Sequence, residues 1–426
     1  MTSDLITFKV SRNDSLLENS QRIPIVPGRK YRIVAPGMFR GGQKYSAMVA
    51  AMAISNSGRE VKRYIRWVSD FEGNRRDYSI VFVAPTDAEY LVIGYRVNSE
   101  TPVHSETEVE IPKPSAAMIT EINTDEDESY DSFRDYEVPA LPKLTEEQEE
   151  ELERNIVWLF GAPRSGTTWL AQLLGHHDEN VLWLEPFVGA LLGASWSNRL
   201  YDAFYEDKPD FFLSNQHMAN WIPQLRSLVL MRAYSHAQTL NKKIIIKEAL
   251  GSSGADIIMK VLKRTKLLFI IRDGRDSVDS NLDTHSPGSW REEFGKPPAI
   301  NTPAERIHWI REYSNQWVVL NRIILRAYYN HEPILRLMVK YEDLKKNTHS
   351  EMRRIYSFLN IKISERELNE IVEKLDFKNI PPSNKGPGKF YRAASVGGWK
   401  ANFDDKEKEI MNSIMGKTLK EMGYQV

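Results

Sequence analysis

Two periodicities divide the chain. Over residues 1–112, short β-branched and aromatic runs recur: Lys30–Ala35, Lys44–Ile54, Lys62–Val68, Tyr78–Ala84, Glu89–Val97 and Glu108–Ile111. Turn-forming stretches separate them, as in Phe71-Glu-Gly-Asn74 and Ala84-Pro-Thr-Asp87. Within Glu89–Val97, Leu91, Ile93, Tyr95 and Val97 alternate with the other face, the period of two that marks a half-buried strand. Short strands at this spacing predict an all-β sandwich or jelly-roll-like domain.

The period then changes. Residues 113–153 carry the acidic runs Thr124–Ser129 and Glu146–Glu153 and several prolines, and they read as a linker or surface wrap. From residue 154 to 426, strand-like apolar runs occur at Ile156–Phe160, Val181–Leu184, Lys243–Lys247, Lys266–Ile271 and Leu335–Val339, with helical stretches between them. Over Pro303–Tyr329, residues Ile310, Tyr313, Trp317, Leu320 and Ile324 fall at helical spacing and predict a core-facing stripe. Alternating strands and helices predict an α/β fold of three layers with a mostly parallel sheet.

Charge and composition narrow the function. The 57 Lys+Arg nearly cancel the 58 Asp+Glu, for a formal net charge of -1. That balance disfavours nucleic-acid binding through bulk positive charge and leaves room for a local cationic site. The absence of cysteine excludes disulfides, thiolate metal sites and a cysteine nucleophile. The sequence shows no signal peptide and no apolar run of membrane-spanning length, so the expectation is a soluble, cytoplasmic protein.

The densest chemistry lies in Ile156-Val-Trp-Leu-Phe-Gly-Ala-Pro-Arg-Ser-Gly-Thr-Thr-Trp-Leu170. A buried strand runs into Gly161-x4-Gly166-Thr167-Thr168, and an amphipathic helix follows, the spacing of a phosphate-binding P-loop. The lysine that such a loop usually carries after its second glycine is replaced by Thr167, and a cation stands earlier, at Arg164. Backbone N–H groups, the helix N-terminus and the hydroxyls of Ser165, Thr167 and Thr168 still suit a cluster of anionic oxygens. A plain strand-to-helix turn capped by glycine and hydroxyl residues is the bland alternative. A P-loop kinase or NTPase using ATP–Mg2+ is another, with Asp273 in a Walker B position.

These residues resemble the sulfotransferases that use 3′-phosphoadenosine 5′-phosphosulfate (PAPS). Their 5′-phosphosulfate loop is similar to Pro163-Arg164-Ser165-Gly166-Thr167-Thr168-Trp169. A second family motif is similar to Leu268-Phe-Ile-Ile-Arg272-Asp-Gly-Arg-Asp-Ser-Val-Asp-Ser280, in which an arginine and a serine eight residues later hold the 3′-phosphate. The resemblance extends to Tyr341-Glu-Asp, whose tyrosine lies near adenine, and to the segment Lys389–Lys400. There Phe390 and Trp169 match aromatic positions that sandwich adenine, and Arg392 matches an arginine on the 3′-phosphate. Ala393 and Ala394 depart from the family's Lys-Gly at that point. Trp399 in the same segment reads equally as a core anchor. The resemblance covers residues 155 to 405 and implies PAPS as donor, 3′-phosphoadenosine 5′-phosphate (PAP) as product and no metal. The first 112 residues look like appended carbohydrate-binding jelly rolls by pattern alone.

Sulfuryl transfer needs a base for the acceptor proton and a cation near the leaving oxygen. The histidine base of the cytosolic members is absent, because Ala249 stands where it would be in Ile246-Lys247-Glu248-Ala249. Carbohydrate-type and bacterial members have a glutamate in a segment similar to Asn180-Val-Leu-Trp-Leu-Glu185-Pro-Phe187, which implies Glu185 as the base, with Glu248 and His285 as alternatives. Arg164 and Lys247 are the candidate catalytic cations. His176 and His177 read as surface or helix-end residues, and Thr284–Thr302 as a lid over the acceptor. The expected acceptor is a hydroxyl, on a carbohydrate or another alcohol. A glycan-binding protein that has lost turnover is the alternative from a non-enzyme class.

Overall fold

The computed structural model describes residues 5–10, 15–18, 22–37, 45–67, 76–99, 107–112, 116–122, 144–193, 212–290, 300–380, 382, 385–389 and 391–426. They form two compact units, one from described residues before position 140 and one from those after 141.

The first unit is all β. Its strands are β1 (Leu5–Val10), β2 (Ser15–Glu18), β3 (Ile23–Pro24), β4 (Lys30–Gly37), β5 (Tyr45–Ile54), β6 (Glu60–Trp67), β7 (Arg76–Val83), β8 (Tyr90–Ser99), β9 (Thr107–Pro112) and β10 (Ile119–Ile122). Every pairing among them is antiparallel: β1 with β9, then β10-β4-β7, then β2-β8-β5-β6 with β3 also on β8. Tyr31 and Ile33 of β4, Ile80 and Phe82 of β7, Val49 and Ala51 of β5, and Leu91, Ile93 and Tyr95 of β8 meet in one apolar cluster. The predicted alternation at Leu91, Ile93 and Tyr95 thus faces this cluster. The strand is not half-solvated, however, because Val92 on the other face is buried too, as are Ala50 and Met52 on β5. The intervening Val92 and Gly94 are themselves apolar, and such a continuous run suits a strand covered on both faces.

Part of the predicted linker is structured. Strand β10 pairs with β4, and helix α1 (Glu146–Asn155) begins in a capping box between Thr145 and Gln148. Its acidic residues are not simply solvated. Glu149 and Glu153 pair with Arg226, and Glu150 pairs with Arg264. Carboxylates in a first turn also oppose the positive end of the helix dipole. The acidic run 124–129 lies outside the described residues.

The second unit alternates strands and helices. After α1 come β11 (Ile156–Phe160), α2 (Thr167–Gly175), β12 (Asn180–Leu184), α3 (Val188–Leu192), α4 (Met218–Ala237), β13 (Lys243–Glu248), α5 (Ala255–Val261), β14 (Lys266–Ile271), α6 (Gly274–Asp283), α7 (Pro303–Asn330), β15 (Arg336–Lys340), α8 (Tyr341–Lys346), α9 (Thr348–Leu359), α10 (Glu365–Lys374), α11 (Trp399–Asn402) and α12 (Asp405–Glu421). The sheet runs β12-β13-β11-β14-β15 with every pair parallel. Central β11 is wholly buried. Ile156, Trp158 and Phe160 enter one core with α4, α5, α7 and α12, while Val157 and Leu159 enter a second core with α2, α9 and α10. Two cores on opposite faces of one parallel sheet make the three layers that the strand–helix alternation predicts. Pro at the first turn and a Thr302–Glu305 capping box start α7, and Ile310, Trp317, Leu320 and Ile324 bury its stripe. Among the described residues, no helix is long and apolar enough to cross a membrane.

Candidate active site

The phosphate loop leaves β11 at Phe160 and enters α2 at Thr167. Two glycines are required by space. A Cβ on Gly161 would lie 2.7 Å from the Ile270 carbonyl oxygen, and one on Gly166 would lie 2.5 Å from Tyr341 Cδ2. Gly166 also has φ 91°, which disfavours an L side chain, and Arg164 adopts φ 68° beside it. Ser165 and Thr167 are buried, and Ser165 Oγ has no hydrogen-bond partner among the described residues. A buried donor left open at the start of a nine-residue helix is a place for an anionic oxygen.

Beside the loop stands a cluster of guanidinium groups. Arg272 follows β14 and donates from Nη1 to the Arg164 carbonyl at 2.8 Å and from Nη2 to the Ser395 carbonyl at 2.9 Å. Its Nε is buried without a partner among the described residues, and the guanidinium lies 4.5 Å over the Tyr341 ring. Arg164 Nε donates to Ser280 Oγ at 2.9 Å. Burial, together with the positive charges of Arg272 and Arg392, pulls the Arg164 guanidinium down to about 10. Arg392 is in the opposite position. Burial would lower it, but a hydrogen bond and ion pair with Asp279 outweigh that cost and hold it above its ordinary value. Trp169 meets Tyr341 edge-on at 6.1 Å and donates from Nε1 to the Leu375 carbonyl at 3.2 Å.

The other candidate residues gather at the ends of β12 and β13. Parallel register sets Leu184 beside Lys247, and the Glu185 N–H donates to the Lys247 carbonyl at 2.8 Å. Lys247 Nζ then donates to Glu185 Oε1, and the Ala249 N–H donates to the same carboxylate at 3.2–3.3 Å. Glu185 has φ 46° and Phe187 φ 61°, so this turn keeps two non-glycine residues in the left-handed region. Glu248 points elsewhere. It is fully buried and accepts from the N–H groups of Val188 at 2.6 Å and Gly189 at 3.3 Å. Burial pushes its carboxyl up to about 7, the backbone donors oppose this, and Glu185 adds to it.

The structure therefore brings Glu185 and Lys247 together, and brings Arg164, Ser280, Arg272 and Arg392 into a second group. It does not pair Arg164 with Lys247, because the Arg164 side chain turns to Ser280. His285 packs against Trp309, with ring centroids 5.0 Å apart, and meets the Tyr313 hydroxyl at 2.6 Å. His176 and His177 end α2 but are buried rather than on the surface, and their rings meet the carbonyls of Gln172 and Lys362. The His177 ring also meets Tyr356 of α9, with centroids 5.5 Å apart. Trp399 lies partly buried against the larger core, with Arg275 4.0 Å over its ring. Phe390 and residues 291–299 of the predicted lid lie outside the described residues.

Asp273 is occupied as the N-cap of α6. It accepts from the Arg275 N–H at 2.9 Å and from the Arg275 side chain at 2.8 and 3.0 Å. A Walker B aspartate has to face a metal, so this geometry weighs against the kinase reading. Sequence reasoning also missed a row of carboxylates on α6. Asp276 accepts from the N–H groups of Gly397 and Trp399 at 2.7 and 3.1 Å, Asp279 holds Arg392, and Asp283 accepts from the Gly388 N–H at 3.0 Å. Their spacing of three and four residues was visible as one helix face. The partner segment, about a hundred residues later, was not.

A parallel three-layer sheet with a phosphate loop at the carboxyl end of its central strand defines a P-loop nucleotide-binding class. The family model for the sulfotransferase domain matches residues 154–423, and the chain belongs to that family. It is 24% identical over 169 residues to human sulfotransferase 1C2, spanning 35% of this chain and 53% of that protein. It is 29% identical over 113 residues to the amine sulfotransferase of Oryctolagus cuniculus, spanning 23% of this chain and 38% of that one. The chain spans about half the length or less of these curated relatives. Among solved structures, a mouse sulfotransferase complexed with PAP is similar with TM-score 0.40 and 17% identity, covering 65% of this chain and 93% of the other. A sulfotransferase from Mycobacterium avium gives TM-score 0.40 and 16% identity, covering 65% and 78%.

Proposed function

We propose that the second unit transfers a sulfuryl group from PAPS to an acceptor hydroxyl, with Glu185 as general base. The observation that carries this reading is the presence of two anion-accepting places side by side. One is the loop Ser165–Thr168 with its open Ser165 hydroxyl. The other is the cluster of Arg272, Arg392 and Ser280, which Arg164 joins. PAPS carries two separate anionic groups, whereas ATP carries one chain of phosphates.

The residues fit such a ligand. Ser165 Oγ and Arg272 Nε are buried polar atoms without partners among the described residues, and positive charge crowds Arg164. The N–H groups and hydroxyls of Gly166, Thr167 and Thr168 would hold the 5′ end. Arg272, Ser280 and Arg392 would hold the 3′-phosphate, and Trp169, Tyr341 and Phe390 the adenine. Arg164, expected at the 5′ end, is better placed to serve the 3′ side through Ser280. Bound PAPS supplies the sulfuryl group and a phosphate leaving group, with no metal in the scheme.

The chain's own residues do the rest. Glu185 takes the acceptor proton, and the strained turn at Glu185–Phe187 fixes where its carboxylate sits. Lys247, beside Glu185, would supply positive charge for the leaving oxygen. Glu248 holds the first N–H groups of α3 and so supports that turn from behind. The acceptor is an alcohol, with carbohydrate favoured by the Glu-Pro segment and by the all-β unit, which we read as a sandwich-type accessory module. Transfer of labelled sulfate from PAPS to a panel of oligosaccharides and simple alcohols tests the proposal. Labelled product without added Mg2+ is the expected result. Transfer of phosphate from ATP–Mg2+ in its place would overturn it.

A further inference from the structure

The row of carboxylates on α6 sits on the same helix as Ser280. Asp276 and Asp283 accept hydrogen bonds from backbone N–H groups of the segment 388–399. Asp279 differs, because it takes a side-chain cation. It pairs with Arg392 through Nη2 and also accepts from Asn402 Nδ2 at 3.0 Å. Asp279 is the chain neighbour of Ser280, and both are buried. Arg392 therefore meets a carboxylate at the place where the proposed function puts a phosphate. Its raised proton affinity, opposite in direction to that of Arg164, reflects that partner.

We propose that Asp279 is an internal counter-ion of the 3′-phosphate site. It holds Arg392 in position without nucleotide and limits affinity for 3′-phosphorylated nucleotides by competing for that guanidinium. The inference rests on the PAPS reading above. A phosphate dianion arriving at Ser280 must share Arg392 with a carboxylate and endure a like charge close by. In return, Arg392 is already ordered when the ligand arrives, which spares the entropy of fixing a long side chain. The device gives a site that is specific for a 3′-phosphate and still releases PAP. Ala393 and Ala394 leave this segment without further side-chain cations next to Arg392, so the balance between Arg392 and Asp279 weighs heavily.

The test is calorimetric titration of the full chain with PAP and with adenosine 5′-phosphate. Asp279→Asn keeps one acceptor oxygen for Arg392 and removes the charge. It should tighten PAP binding by about tenfold and leave adenosine 5′-phosphate unchanged. Asp279→Ser removes both charge and anchor, and serves if the Asn variant loses its cooperative melt. It should still bind PAP more tightly than wild type, though by less than the Asn variant. Unchanged or weaker PAP binding in a folded variant would mean that Asp279 only anchors the segment, and the proposal fails. No PAP binding by wild type and variants alike would instead overturn the nucleotide reading itself, and this inference would fall with it.

Discussion

The two ends of the candidate site are built on opposite electrostatic plans. At the β12–β13 end, Lys247 and Glu185 neutralise each other, and the Ala249 N–H satisfies the same carboxylate. At the α6 end, Arg164, Arg272 and Arg392 crowd together, and Arg392 pairs with Asp279. The two ends thus differ in charge balance, an ion pair at one and clustered guanidinium groups at the other. Backbone geometry does not follow that division: Arg164 at the cationic end has φ 68° as Glu185 and Phe187 have φ 46° and 61° at the other, and Gly189 beside Glu248 has no more room for a Cβ than Gly161.

The sharpest way to break the comparison is to separate turnover from binding. Glu185→Gln should lower turnover by about 10²–10⁴-fold and leave PAP affinity within a few-fold of wild type, measured by labelled-sulfate transfer and by titration. Loss of affinity in step with turnover would erase the distinction between the ends. Arg272→Ala addresses the other end. It should weaken PAP by about 10–100-fold, as expected for the loss of charge-assisted hydrogen bonds, and weaken adenosine 5′-phosphate far less. Equal losses on both ligands would place Arg272 outside a 3′-phosphate site.

Gly166→Ala tests the close approach. It sets a methyl 2.5 Å from Tyr341 at a φ of 91°, and should cost about 1–3 kcal/mol in chemical denaturation. An unchanged midpoint would contradict that packing. The smallest effect is a pH dependence. Glu248 stands at about 7 in the fold against 4.5 ordinarily, so the folded state binds more protons than the unfolded one between those values. Its contribution to stability is complete below pH 4.5 and is lost as pH rises through 7. Glu248→Gln should flatten the melting temperature between pH 5 and 7 relative to wild type, and a parallel curve would show that the burial of Glu248 has no such consequence.

Much of the catalytic unit was legible in the sequence. β11 and β14 have the predicted bounds because uninterrupted apolar runs are buried on both faces. β15 begins one residue late because Leu335 belongs to a turn opened by Pro333. In the β unit, β1, β2, β3 and β10 were not predicted. They are short or mix charged with apolar residues, and pairing with other strands defines them more than their own pattern does. The turn from β11 into α2 at Gly161–Thr167 was legible because local spacing carries it. The Glu185–Lys247 pair was not, because it depends on the register of β12 against β13. The direction of Arg164 and the grip of Asp279 on Arg392 were hidden for the same reason, since both join segments more than a hundred residues apart.

The proposed function requires that one end of this site hold a 3′-phosphate. Calorimetric titration of the full chain with PAP, beside adenosine 5′-phosphate and ATP–Mg2+, tests it most directly. Tight binding of PAP with much weaker binding of the other two is the predicted result. Preference for ATP–Mg2+, or equal affinity for PAP and adenosine 5′-phosphate, would contradict it.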